Sequence, residues 1–168
     1  MTNNFDFKPK HLGLTYAEQF KEQAVVDAYM ETWDFNLPWY HGSQQPLSIL
    51  RIGSSITQDY DIARVFSHRP ALFSFEDDGS FKHNGNANGY LYVIDEPIHA
   101  ADVYPHPHPI NKEKWEWLTK RELKVHLLEH TAVRAAERLS DDDVADIWRR
   151  QRTADIDSLT LESFRDDG

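Results

Sequence analysis

Four short segments of this chain carry side chains that could do chemistry together. In order they are Tyr40-His41-Gly42-Ser43, then Ile56-Thr57 with Ala63-Arg64-Val65-Phe66-Ser67, then Gly89-Tyr90-Leu91-Tyr92-Val93-Ile94-Asp95, then Arg121-Glu122-Leu123-Lys124-Val125. An imidazole and a carboxylate brought to one cleft from distant strands can hold a ribose and stabilise a cation at its anomeric carbon. Carboxylates do this in glycoside hydrolysis, where the transition state is oxocarbenium-like.

The elements that must position these residues follow from pattern. Thr15 and Glu18 form a capping box, and Phe20, Ala24, Ala28 and Tyr29 recur at helical spacing, which predicts an amphipathic helix over 16–32. Trp39–Gly42 reads as a short strand and 46–50 as a short helix. Tyr60–Phe66 reads as a helix stopped by Pro70, and Ala71–Phe75 as a strand. Three turn pairs, Asp78-Gly79, Asn84-Gly85 and Asn88-Gly89, make 76–88 a loop. Tyr90–Ile94 is the clearest strand, with both faces apolar. Four prolines make 97–111 an extended loop, and 112–117 reads as a helical turn. Leu123, Val125 and Leu127 alternate with Lys124 and His126, the pattern of a half-buried strand that resumes at Thr131–Val133 after a bulge. Ser140 caps a last helix with Val144, Ile147 and Trp148 on one face. The sum is an α+β chain of short, mostly antiparallel strands with flanking helices, without βαβ units or phosphate-binding glycine loops.

Composition bounds the function. The 168 residues suit one domain with a short appendage: an arm over 1–14, a domain over 15–139, and an acidic helix and tail over 140–168. A net charge of −10 argues against general affinity for nucleic-acid backbones or anionic membranes. Arg64, Arg69, Lys120, Arg121 and Lys124 leave room for a local basic patch. With no cysteine, disulfides and thiol nucleophiles are excluded, which fits a cytoplasmic location. The start of the chain lacks the basic and apolar blocks of a signal peptide, and no apolar run reaches a membrane-spanning length.

The four segments together resemble the histidine-first ADP-ribosyltransferases, which include the poly-ADP-ribose polymerases, the diphtheria-toxin-like toxins and the small rifampicin-modifying transferases. The resemblance covers roughly the central half or more of the chain, with the flanking helices outside it. It implies a fold of split antiparallel β-sheets with flanking helices and NAD as substrate. His41 would contact a ribose hydroxyl. Gly42 would offer its backbone to the nicotinamide carboxamide, with Ser43 beside it. Thr57 would precede the helix whose Phe66 stacks on nicotinamide, at a place where Tyr is commoner. Tyr90 or Tyr92 would line the pocket, Tyr92 being counted with the NAD contacts. Glu122 would assist cleavage of the glycosidic bond; the competing reading is a surface glutamate paired with Lys120 or Lys124. Lys120 stands where arginine-directed members carry a second acid, so an arginine acceptor is not implied.

The expected activity is therefore NAD-dependent ADP-ribosyl transfer to an unidentified protein, nucleic-acid or small-molecule acceptor, of the kind used by toxins and phage effectors. Three alternatives stay open: a non-catalytic NAD- or ligand-binding module of the same fold, an NAD-dependent RNA 2′-phosphotransferase using arginines such as Arg51, Arg64 and Arg69, and an ordinary α+β interaction domain without a nucleotide site. No metal site is expected. His106-Pro107-His108, with His99 and Asp102, lacks zinc spacing on two anchored elements.

Overall fold

The structure, a computed structural model, describes residues 16–107 and 115–163, with side chains over 23–107 and 115–153. It is α+β. Helix α1 spans Tyr16–Thr32, α2 Tyr60–Phe66 and α3 Asp141–Ser163. The strands are β1 (Tyr40–Ser43), β2 (Ile49–Leu50), β3 (Ser55–Ile56), β4 (Phe73–Phe75), β5 (Phe81–His83), β6 (Gly89–Ile94), β7 (Val103–Pro105), β8 (Trp117–Thr119) and β9 (Leu123–Thr131). They form a four-stranded sheet in the order β1-β6-β9-β2, a three-stranded sheet in the order β3-β8-β7, and the β4-β5 hairpin.

Several elements differ from expectation. The 46–50 segment is not helical: Ile49 and Leu50 pair antiparallel with Lys124 and Leu123. The 76–88 loop contains β5. Phe73 pairs with His83 and Phe75 with Phe81, around a turn that needs Gly79 at φ +80°. The proline-rich 97–111 loop contains a 3₁₀ turn, Ala100–Asp102, and then β7, which pairs with β8 from Val103↔Thr119 to Pro105↔Trp117. Pro105 is tolerated because β7 is an edge strand. Trp117 lies in strand rather than a helical turn, and β9 runs unbroken from Leu123 to Thr131. The capping box at Thr15 and the residues from His108 to Lys114 fall outside the described residues.

The chain divides into two compact units. Unit 1 comprises residues up to His41, Leu47–Tyr60 and Tyr92–Leu128; unit 2 comprises Gly42–Pro46, Asp61–Leu91 and the residues from Glu129 onward.

Unit 1 has an aromatic core. Trp117 is fully buried, with Trp33, Phe35 and Trp39 ring centres at 5.0, 5.8 and 5.6 Å. Leu50, Ile56, Ile94, Ile98, Val103 and Leu123 complete it, and Met30 packs against it from α1. The inward side of α1 is Val26, Tyr29 and Met30, whereas Ala24 and Ala28 are exposed. Small alanines contribute little area, so the larger side chains set the packing face.

Unit 2 buries Ile62, Ala63, Val65, Leu72 and Leu91 together with an unusual set of polar groups: Arg64, Ser67, His68, His83 and Thr131. Arg64, on α2, pairs with Glu137, lies 3.7 Å from Glu129, and donates to the Ala132 carbonyl at 2.7 Å. Ser67 and Thr131 hydroxyls meet at 2.6 Å. Ser140 begins α3 as the sequence suggests, its hydroxyl accepting from the Asp143 N–H and the Asp143 carboxylate accepting from the Ser140 N–H, both at 3.1 Å.

Candidate functional site

His41 is the best-defined member of the expected set. Tyr40 is bridged antiparallel to Thr57, which brings β1 alongside the end of β3. The His41 ring then reaches the Ser55 carbonyl, Nδ1 to O 2.6 Å. A carbonyl only accepts, so the proton sits on Nδ1 and Nε2 carries the lone pair. Among the described residues Nε2 has no hydrogen-bond partner. Burial pushes the His41 pKa below its ordinary value, partly offset by the bond to Ser55. The imidazole is therefore a neutral, half-buried acceptor of fixed tautomer, suited to a hydroxyl donor.

Ser55 has a second partner that the sequence did not single out. Its hydroxyl donates to Glu116 at 2.7 Å. The pairing Ser55↔Leu118 and Ile56↔Trp117 sets this up by bringing the start of β8 across from the end of β3. One residue thus links an imidazole through its carbonyl and a carboxylate through its hydroxyl. The only sequence signal for Glu116 was its place between Trp115 and Trp117, whose burial fixes the register.

Glu122 is exposed, and only its backbone carbonyl has a described partner, Arg121 Nη1 at 3.2 Å. Neither expected lysine pairs with it among the described residues. In the sheet order, β6 separates β1 from β9. The Ile94 N–H bonds the Trp39 carbonyl and the Asp95 N–H bonds the Lys124 carbonyl, both at 2.9 Å. His41 lies two residues past Trp39 and Glu122 two before Lys124. His41 and Glu122 thus stand at non-adjacent strands of the sheet, with β6 between them.

The other expected residues have clear local tasks. The Thr57 hydroxyl accepts from the Asp59 N–H at 3.0 Å, shaping the turn into α2. Tyr92 is buried, and its hydroxyl accepts from the Leu47 N–H at 2.8 Å, so its ring is core. In unit 2 a Cβ at Gly42 would lie 2.0 Å from the Ala63 carbonyl and 2.5 Å from the Ser67 nitrogen. Helix α2 itself is the close neighbour that demands glycine there. The Ser43 hydroxyl accepts from the Gln45 N–H at 3.0 Å. Phe66 is half-buried and edge-on to Phe73 at 5.8 Å, in a shallow apolar pocket with Ile62, Val65, Phe75 and Phe81.

The expected local basic patch is partly withdrawn from the surface. Arg64 is buried in its ion pairs, and Arg121 is held by Glu96 and by Asp102 at 2.8 Å. The hydrogen bonds that Arg121 donates to Asp102 and Glu96 push its pKa up. Among the described residues no helix is long and apolar enough to cross a membrane. No family model, curated protein or solved structure matches the chain.

Proposed function

We propose that this protein binds NAD through the nicotinamide-side ribose and cleaves the nicotinamide–ribose bond, passing ADP-ribose to an acceptor as an ADP-ribosyltransferase-like enzyme. The observation that carries this reading is His41. Its proton is held on Nδ1 by the Ser55 carbonyl, and its unpartnered Nε2 is ready to accept from a ribose hydroxyl. Nicotinamide leaves with the electron pair of the glycosidic bond, and the acceptor's nucleophilic atom bonds to the anomeric carbon as its proton departs. A carboxylate near that carbon stabilises the developing cation. Glu122 holds this role by resemblance; Glu116 has the closer connection to His41, through Ser55. Burial of Arg64 in its ion pairs weighs against RNA 2′-phosphate removal, which relies on available arginines.

The test is nicotinamide release from NAD by the full chain. His41→Ala is expected to lower the rate by about 100-fold or more, the range for losing one positioned acid–base or hydrogen-bonding group. Glu116→Gln against Glu122→Gln then identifies the acid. A second reading is a module that binds NAD without cleaving it, favoured by the exposure of Glu122, whose carboxylate has no described partner to orient it. It predicts saturable NAD binding that His41→Ala weakens, with no nicotinamide released by the wild type.

A further inference from the structure

Unit 2 holds a polar cluster with no part in the proposed reaction. His68 follows α2, His83 ends β5, and Glu137 lies in the 3₁₀ turn Ala135–Glu137. They are 15 and 54 residues apart in sequence, yet one ligand atom from each lies within 4.8 Å of the others. Both imidazoles are buried, 1% and 0% exposed. Both Nε2 atoms are buried and lack a hydrogen-bond partner among the described residues. Buried polar atoms are nearly always satisfied, so two orphans facing one carboxylate call for an occupant.

We infer that His68, His83 and Glu137 form a binding site for a divalent transition-metal ion, zinc being the ion that best suits two imidazoles and a carboxylate. The surroundings have the features of a metal shell. The His68 Nδ1 donates to the Ala87 carbonyl at 2.8 Å, which leaves its Nε2 lone pair free for an ion. The ring centres of His68 and His83 are 5.3 Å apart, but the rings are stacked with planes 9° from parallel, so one ring must turn about its Cβ–Cγ bond for both in-plane Nε2 lone pairs to meet one ion. Two imidazoles bound through Nε2 to one tetrahedral ion have centres about 5 Å apart, given zinc–nitrogen distances of about 2.0–2.1 Å. Glu137 is oriented by Arg64 at Oε1 and by the Arg134 N–H, 3.0 Å from Oε2, the oxygen that lies 3.8 Å from His83 Nε2. Gly85 allows the close approach, since a Cβ there would stand 2.7 Å from the His68 carbonyl.

Loading moves one proton. The His83 Nδ1 now accepts from the Gly85 N–H at 3.1 Å, which places the His83 proton on Nε2. An ion at Nε2 shifts that proton to Nδ1 and turns the Gly85 N–H aside. One neutral hydrogen bond is small beside a transition-metal ligand set, so the exchange is favourable. The ion would tie the end of α2, β5 and the 3₁₀ turn together.

The full chain, stripped with chelator and dialysed, is titrated with zinc chloride by calorimetry and by NMR of ¹⁵N-labelled imidazoles. One ion should bind per chain, and the His68 and His83 Nε2 resonances should move together. His83→Gln should weaken binding by at least about 100-fold, more than is typical for an outer partner alone, while His126→Ala leaves it unchanged. Unmoved His68 and His83 resonances in the wild type would overturn the inference and leave the cluster to a bridging water. Full affinity retained in His83→Gln would overturn it too. The wild-type NMR decides the matter even if the variant fails to fold.

Discussion

His41 in unit 1 and His68 in unit 2 are held by the same device. Each donates its Nδ1 proton to a backbone carbonyl, Ser55 at 2.6 Å and Ala87 at 2.8 Å, and each is left with an Nε2 lone pair. Their surroundings differ. His41 is half-buried on strand β1, whereas His68 is buried beside a second histidine and a carboxylate. A fixed acceptor that keeps some exposure can meet the hydroxyl of a small molecule. The same acceptor sealed in a polar interior can meet only an ion or a water. Tautomer is thus set locally in both places, and burial decides which ligand class each can serve.

The largest effect that would break this comparison lies where the units demand glycine. Gly42→Ala places a Cβ 2.0 Å from the Ala63 carbonyl, an overlap of backbone with backbone that cannot relax by a rotamer change. A loss on the order of 4 kcal/mol or more is expected, in the exceptional range for single changes, read by urea denaturation. If Gly42→Ala folded with near-native stability and lost only NAD binding, the glycine would belong to a ligand and not to α2.

Next comes the polar interior of unit 2. Arg64→Met removes the buried cation and leaves Glu137, 16% exposed, without its main partner. Breaking a buried pair costs about 3–5 kcal/mol; partial exposure of the carboxylate brings the expectation to about 2–4 kcal/mol. Restored stability in the double variant Arg64→Met, Glu137→Leu would show that the penalty is the unpaired charge. A neutral result for Arg64→Met alone would contradict the account of unit 2.

Much of the frame was legible from pattern. Helices α1 and α2, the strand at Tyr90–Ile94 and the Ser140 cap follow from periodicity and capping chemistry. The misread elements share a cause. Ile49–Leu50 and Val103–Pro105 are too short to show a period and become strands only because Lys124, Leu118 and their neighbours offer partners. Phe81–His83 lay between turn pairs, where local signals speak for loop. At the candidate site, His41 was visible as part of a motif. Glu116 was not, because its link to Ser55 depends on a strand register that no local pattern encodes. The His68, His83 and Glu137 cluster was invisible for the same reason, its members having no helical or strand spacing in common.

The smallest expected effect concerns pH. The His41 pKa is lower in the folded chain than its ordinary 6.5, so the unfolded chain binds more protons over that range. Its contribution to stability is present above 6.5 and is lost as pH falls through the folded value. NAD cleavage should fall in the same window, since protonation removes the Nε2 lone pair. A rate unchanged across it would detach His41 from the reaction.

The most direct measurement is NMR of the ¹⁵N-labelled imidazoles during titration with NAD. The account predicts a saturable shift at the His41 Nε2 as it accepts from the ribose, with the Nδ1 proton still bonded to Ser55. Saturable NAD binding that leaves the His41 Nε2 resonance where it began would contradict it.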